Sequence, residues 1–145
     1  MIENLIKDKQ VVIIDIETDG LLDTVTTIFC VVCKEYPSGK VRVFKGDECY
    51  NELLSYLNKD LVLVGHNVLS YDLRVFSKLL QYRHSVANTI DTLLLSQLFN
   101  PIIEGGHSLA SWGTRLKFPK MESPNFSYLS DETIEYCIND VELTY

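Results

Sequence analysis

Positive charge is scarce in this sequence. Thirteen Lys and Arg face 20 Asp and Glu, giving a formal net charge of −7 at pH 7. A protein that grips nucleic acid over a broad surface needs clustered basic side chains to neutralise phosphates, so a wide basic footprint is excluded. No window approaches the ~18 apolar residues of a membrane-spanning helix. The opening stretch, Ile2-Glu3-Asn4-Leu5-Ile6-Lys7-Asp8-Lys9, has neither the basic start nor the apolar centre of a secretion signal. The expected location is therefore the cytoplasm, that of a host cell if the source is viral. Among the cysteines, Cys30 and Cys33 alone form a C-x-x-C, inside Ile28-Phe29-Cys30-Val31-Val32-Cys33. Strand positions three apart face opposite sides, so these two cannot readily share a metal, and buried reduced thiols are expected. Repeats, low-complexity tracts and linkers are missing as well. With 145 residues, 46% hydrophobic and 23% charged, the chain reads as one domain over 1–145 with one core.

What is present is an ordered alternation of strands and helices. Val11 to Thr18 is an apolar β-branched strand, and Val25 to Tyr36 predicts a second, turned by Pro37-Ser38-Gly39 into a third at Lys40 to Phe44. Asp47 is placed to cap a helix running to Leu57, with Leu53, Leu54 and Leu57 on one face. Leu61 to Gly65 is a continuous apolar run, as expected of a strand covered on both faces. Ser70 is expected to cap the next helix, in which Leu73, Phe76, Leu79 and Leu80 recur at helical spacing. A short strand at Asn88 to Ile90 ends at Asp91, and Leu93 to Phe99 forms a helix stopped by Asn100-Pro101. After a loop at Ile102 to Gly106, a short helix begins over His107 to Gly113, and Leu116 to Tyr128 reads as irregular. Ser130 caps the last helix, which holds Tyr136, Asp140 and Leu143. This order describes an α/β domain with a mixed sheet.

The first strand carries an electrostatic conflict. Asp15 and Glu17 project from one face, with Ile14 and Ile16 on the other. Two desolvated acids repel, and no Lys or Arg follows before Lys34. A divalent cation with hard oxygen ligands, magnesium or manganese, would resolve the conflict; a solvated turn through Asp19-Gly20 is the plain alternative. Further acids stand at Asp72, in the first turn of a helix, and at Asp140. Tyr136 precedes Asp140 by one helical turn, which puts both on one face.

Asp15-Ile16-Glu17-Thr18, Gly65-His66-Asn67 through Tyr71-Asp72, and Tyr136-Cys137-Ile138-Asn139-Asp140 resemble the three motifs of the DEDD superfamily of 3′-to-5′ exonucleases. The third motif fits the tyrosine subtype, since Glu135 stands where the histidine subtype has His. Ile90 to Ser96 and His107 to Gly113 are similar to segments of the proofreading domain of phage-type family A DNA polymerases. The resemblance implies a ribonuclease H-like domain, with helices on both faces of a mixed five-stranded sheet. It implies that Asp15, Glu17, Asp72 and Asp140 hold two metal ions, Mg2+ or Mn2+, and that Tyr136 orients the attacking water. Asp15 would bridge the ions, Glu17 and Asp140 would complete the water-activating site, and Asp72 would serve the second.

The implied activity is hydrolysis of single-stranded DNA 3′ ends to nucleoside 5′-monophosphates, as proofreading for a polymerase domain or subunit. An exoribonuclease of the same superfamily is one alternative. A non-catalytic nucleic-acid or polymerase-binding module is another, although none of its four metal carboxylates is missing. Thr18, Leu21 and Leu22 are candidates to offer backbone N–H groups and an apolar wedge to the terminal nucleotide, or else a turn with core leucines. Asn67 and His66 are candidate strand contacts, His66 equally a structural hydrogen bond. Phe76 and Trp112 could stack bases or fill core. Asp91 reads as a helix cap that orders the site, and His107 as a cap or loop residue. Met1, so near the first strand, suggests a true start; Tyr145, soon after Asp140, leaves an excised piece and a freestanding subunit both open.

Overall fold

A computed structural model describes residues 3–4 and 7–145. The Val and Ile run of β1 (Gln10–Thr18) occupies the middle of a five-stranded sheet of order β3-β2-β1-β4-β5. β1 pairs antiparallel with β2 (Ile28–Tyr36), which pairs antiparallel with β3 (Val41–Lys45). On its other side β1 runs parallel to β4 (Leu61–Gly65), which runs parallel to β5 (Thr89–Asp91). This is the mixed sheet expected from the order of elements. β2 begins at Ile28 and not at Val25, because the Asp19 carboxylate accepts the N–H groups of Thr26 and Thr27 at 2.9 and 3.0 Å. Those donors are thereby withdrawn from the ladder.

The two sheet faces carry separate cores, as β-strand alternation requires. Val12, Ile14 and Ile16 pack with Val31 and Cys33 against Leu53 and Leu57 of α1 (Tyr50–Leu57) and Val75 and Phe76 of α2 (Asp72–Leu80). Ile13, Cys30 and Val32 pack on the opposite face against Cys137 and Val141 of α5 (Asp131–Thr144). Cys30 and Cys33 therefore lie in different cores, and both are free thiols. Asp15 and Glu17 share the face of Ile13 and point toward α5.

Helix starts explain several departures from expectation. Asp47 does not cap α1: a single 3-10 turn, Asp47–Cys49, intervenes. Ser70 does not cap α2 either. The preceding turns close on themselves through Tyr71 N–H to Asn67 O and Leu73 N–H to Val68 O, so the helix starts after Tyr71. Asp91 caps α3 (Thr92–Phe99), accepting from the N–H groups of Leu93 and Leu94. Ser108, and not His107, caps α4 (Leu109–Arg115), while Ser130 caps α5 as its spacing with Thr133 indicated. No helix among the described residues is long and apolar enough to cross a membrane.

Two sequence candidates for substrate contact turn inward. Phe76 is fully buried, edge-on to Tyr82 at 6.4 Å between ring centroids, and Leu22 packs on the same core. Helical periodicity marks such residues as apolar without saying which of them meets solvent. Phe76→Ala is expected to lower unfolding stability by about 3–5 kcal/mol, the usual cost of emptying a buried aromatic site. Urea denaturation checks this. A midpoint within error of wild type would return Phe76 to the surface.

Candidate active site

β1 runs on past its last pairing with β4, Ile13↔Val64, leaving one edge of its end free to be approached. Gly65 makes that approach possible: a Cβ there would lie 3.0 Å from the Ile14 carbonyl oxygen and 2.9 Å from Val68 Cβ. The chain then turns through Asn67, which adopts φ 64, and enters α2 with Asp72 in its first turn. From the opposite face α5 contributes Tyr136 and Asp140 one turn apart. Asp15, Glu17, Asp72 and Asp140 thus come together from three elements, with Asp72 and Asp140 each only 4% exposed.

Burial and mutual repulsion dominate the electrostatics. Burial first, then the negative field of Asp140, pushes Asp15 up to about 8. Burial and then Asp15 push Glu17 up to about 9. Asp72 is raised well above its usual range by burial and then by Asp15, and Asp140 is raised by burial against the opposing pull of Lys120. Carboxylate oxygens of Asp15 and Glu17 and the Cys137 sulfur lie within 4.8 Å of one another. The Cys137 thiol donates to the Asp15 backbone oxygen at 3.4 Å and to its carboxylate at 3.5 Å. One buried oxygen, Asp140 Oδ1, has no hydrogen-bond partner. An orphaned oxygen among mutually repelling carboxylates fits a divalent cation with oxygen ligands.

The positive charge beside these acids is one that sequence reasoning missed. Lys120 Nζ lies 2.9 Å from Asp140 Oδ2 and 5.0 Å from the centroid of the Tyr136 ring. Burial works against its charge, but hydrogen bonds to Tyr136 and Asp140 prevail and raise its pKa. Lys120 comes from the irregular stretch between α4 and α5, far from Asp15 in sequence. Gly113 admits this stretch, since a Cβ there would sit 2.7 Å from the Phe118 carbonyl oxygen. The same segment sets Phe126 edge-on to Tyr136, at 5.7 Å and 76°.

The turn after β1 is closed by Thr18 and Tyr71, whose hydroxyls both donate to the Gly20 carbonyl at 2.9 and 2.6 Å. The buried Thr18 hydroxyl is thereby committed to the turn. Leu21 is 79% exposed and, with Glu17, Tyr71 and Phe126, borders a cavity of about 290 Å³. Tyr71 and Phe126 were not among the sequence candidates for substrate contact; the adjacency of Tyr71 to Asp72 was the available signal for the first. Asp91 holds the second motif, accepting from the N–H groups of Asn67 at 3.0 Å and Leu69 at 3.1 Å while capping α3.

His66 faces elsewhere. Its Nδ1 pairs with Thr92 Oγ1 at 3.0 Å, and its ring borders an apolar pocket of about 470 Å³ with Leu95, Phe99 and Trp112. Burial lowers the pKa of His66 and favours the neutral ring. Trp112 Nε1 donates to Ser96 Oγ at 2.9 Å, and Ser96 in turn pairs with His107 Nδ1 at 2.7 Å. His107 and Trp112 are tied to α3 by these bonds.

No family model matches the chain. It is 26% identical over 156 aligned residues to the DNA-directed DNA polymerase of Enterobacteria phage T3, covering 88% of this chain and 22% of the polymerase. Its identity to the corresponding enzyme of Escherichia phage T7 is 25% over 159 residues, covering 90% and 22%. The chain spans about a fifth of the length of these relatives. Brucella melitensis NrnC with bound Mg2+ superposes at a TM-score of 0.74 and 20% identity, over 94% of this chain and 69% of that one. Escherichia coli exonuclease I in complex with a dT13 oligonucleotide superposes at 0.65 and 12% identity, over 94% and 39%. The chain shares the fold of NrnC and of exonuclease I. Within this fold, the acids of this chain lie where the end of the central strand, the start of α2 and α5 converge.

The raised carboxyls give a sign to stability against pH. Asp15 and Glu17 bind protons in the folded chain up to about 8 and 9, whereas the unfolded chain loses them at the ordinary values of 3.8 and 4.5. The folded state holds more protons across that window, so the metal-free protein is expected to lose stability as pH rises from about 4.5 to about 9. Urea midpoints measured across this range should fall with pH, and Asp15→Asn should flatten the slope. Midpoints that rise steadily would contradict the buried, repelling cluster.

Proposed function

We propose that this chain is a metal-dependent 3′-to-5′ exonuclease that hydrolyses single-stranded DNA ends to nucleoside 5′-monophosphates, in the service of polymerase proofreading. The observation that carries this reading is the convergence of the half-buried Asp15 and Glu17 with the buried Asp72 and Asp140, beside Tyr136, in a fold shared with nucleases. Asp15, Glu17, Asp72 and Asp140 would hold two divalent cations, Mg2+ or Mn2+. Such ions, when bound, supply an activated water and offset the charge on the leaving oxygen.

The chain's own residues do the positioning. Phe126 packs edge-on against Tyr136, and α5 sets the Tyr136 hydroxyl one turn from Asp140, where it can accept from or donate to a water. The cavity between Leu21, Tyr71 and Phe126 opens beside Glu17 and suits the terminal base, with Leu21 as the wedge. Asp91 keeps the Asn67 turn fixed, so that Asp72 and the adjoining backbone keep their place as substrate enters. Similarity to phage DNA polymerases across most of the chain supports DNA as substrate and a polymerase domain or subunit as partner. A second reading, cleavage of short RNA ends, draws on the structural likeness to NrnC bound to pGG, at a TM-score of 0.73.

Matched DNA and RNA strands labelled at either end, digested with Mg2+ or Mn2+, test polarity, sugar preference and metal together. Shortening from the 3′ end with faster turnover of DNA is expected; faster turnover of RNA selects the second reading. Asp15→Ala and Asp140→Ala are each expected to slow hydrolysis by at least about a thousandfold while the chain stays folded, since several kcal/mol of transition-state stabilisation are lost. Undiminished digestion by both variants would sink the assignment. Tyr136→Phe is expected to cost about a hundredfold in rate with metal binding intact, the lower end of what a positioned proton-transfer or water-orienting group contributes. A wild-type rate would remove Tyr136 from the reaction.

A further inference from the structure

We propose that Lys120 is a built-in counter-cation of the acidic cluster, one whose charge beside Asp140 a divalent cation must compete with in order to bind. The inference rests on the metal-site reading above. Among the described residues, the other Lys and Arg ion pairs are Lys9 with Asp60, Lys34 with Glu142 and Arg42 with Glu35, none of which involves the cluster. Among the described residues, Lys120 alone is paired to one of the four carboxylates, at 2.9 Å from Asp140 Oδ2.

The pairing is built from both sides. Ahead of Lys120, the Phe118 N–H donates to the Gly113 carbonyl at 2.8 Å, and the bare Gly113 allows the chain to cross α4 there. Beyond it, the Met121 N–H donates to Asn139 Oδ1 at 3.3 Å, next to Asp140 on α5. Backbone on either side is thus pinned, while the long side chain reaches inward over the Tyr136 ring with its charged end. The side chains of Lys120 and Asp140 are 22% and 6% exposed, so the pair is poorly screened by solvent.

Competition follows from charge and valence. Ammonium offers one positive charge and three donors to oxygens that already repel one another, which keeps Asp140 turned into the cluster when no metal is there. A divalent cation offers twice the charge and can take the unpartnered Oδ1 of Asp140, but it then meets the positive field of the ammonium held on Oδ2. Because only the head of a flexible side chain has to move, Lys120 can yield without unfolding the segment that carries it. Lys120 is in this sense a positioning residue: it holds Asp140 and the Tyr136 ring in place and weakens metal binding while doing so.

Calorimetric titration of the chain with Mn2+ alone, without nucleic acid, tests the proposal, with circular dichroism to verify folding. Lys120→Met is expected to bind Mn2+ about tenfold more tightly than wild type, the scale of one charge-assisted hydrogen bond no longer competing. Lys120→Arg, which keeps the charge, should remain near wild type. Equal or weaker binding by Lys120→Met overturns the proposal. Should that variant not fold, the Lys120 side-chain NMR signals of the wild type decide: a shift as diamagnetic Mg2+ is added supports competition, and unmoved signals at saturation overturn it. A wild type that takes up no metal removes the metal-site reading along with this one, whereas wild-type uptake unaffected by Lys120→Met removes only the role of Lys120.

Discussion

Repulsion between carboxylates on one face of β1 is the constraint around which this molecule is arranged. Alternation along the strand forces the division: Ile14 and Ile16 fill one core, and Ile13, Asp15 and Glu17 face the other way. The helix that covers the second face must bury apolar surface near Ile13 and also tolerate negative charge a few residues on. α5 does both in a single turn, with Cys137 and Val141 in the core and Asp140 beside the acids. Adding a further acid to a repelling pair makes sense only where something positive occupies the space between them. Lys120 is the cation the fold itself supplies, and it pairs with one of the four carboxyls.

That imbalance links local backbone geometry to function. Asp72 reaches the cluster because Gly65 lets the chain pass close to Ile14 and because Asp91 binds the N–H groups of the turn that follows. Asp91 thus joins the end of β5, the start of α3 and the second motif through one carboxylate. Loss of that brace would release the turn through Asn67, a non-glycine residue at φ 64, and with it the placement of Asp72. The site is held by hydrogen bonds to backbone N–H groups as much as by the acids themselves.

How far the sequence could be read follows from the range of each interaction. Asp15 with Glu17, and Tyr136 with Asp140, are legible because strand and helix periods fix which neighbours share a face. The capping roles of Asp91 and Ser130 are equally local. The mixed five-stranded sheet could be expected from the succession of elements and the resemblance of its motifs, but not the order of its strands. Lys120 was not legible, since it arrives on a stretch without periodicity and its path depends on a bare Gly113 whose significance lies in a contact five residues away, at Phe118. Phe76 and Leu22 misled for a related reason: composition marks a residue as apolar, but only the packed structure decides whether it meets core or solvent. Ser70 failed as a cap because hydrogen bonds from Tyr71 and Leu73 already close the turn.

Two cavities flank the acidic cluster, and their chemistry separates them. The larger, near His66, is walled by Leu95, Phe99 and Trp112, and the polar atoms of Trp112, Ser96 and His107 are spent on one another. A nucleotide entering there would meet a largely apolar wall, in which His66 Nε2 is a buried polar atom without a partner. The smaller lies against Glu17, between the exposed Leu21 and the rings of Tyr71 and Phe126, so a base held among them would have its phosphate near the carboxylates. Phe126 also packs on Tyr136, so the residue that would sense the base is in contact with the one that would hold the water. Because Phe126 and Lys120 lie on the same irregular segment, one stretch of chain governs both the cation beside Asp140 and the wall of the base site.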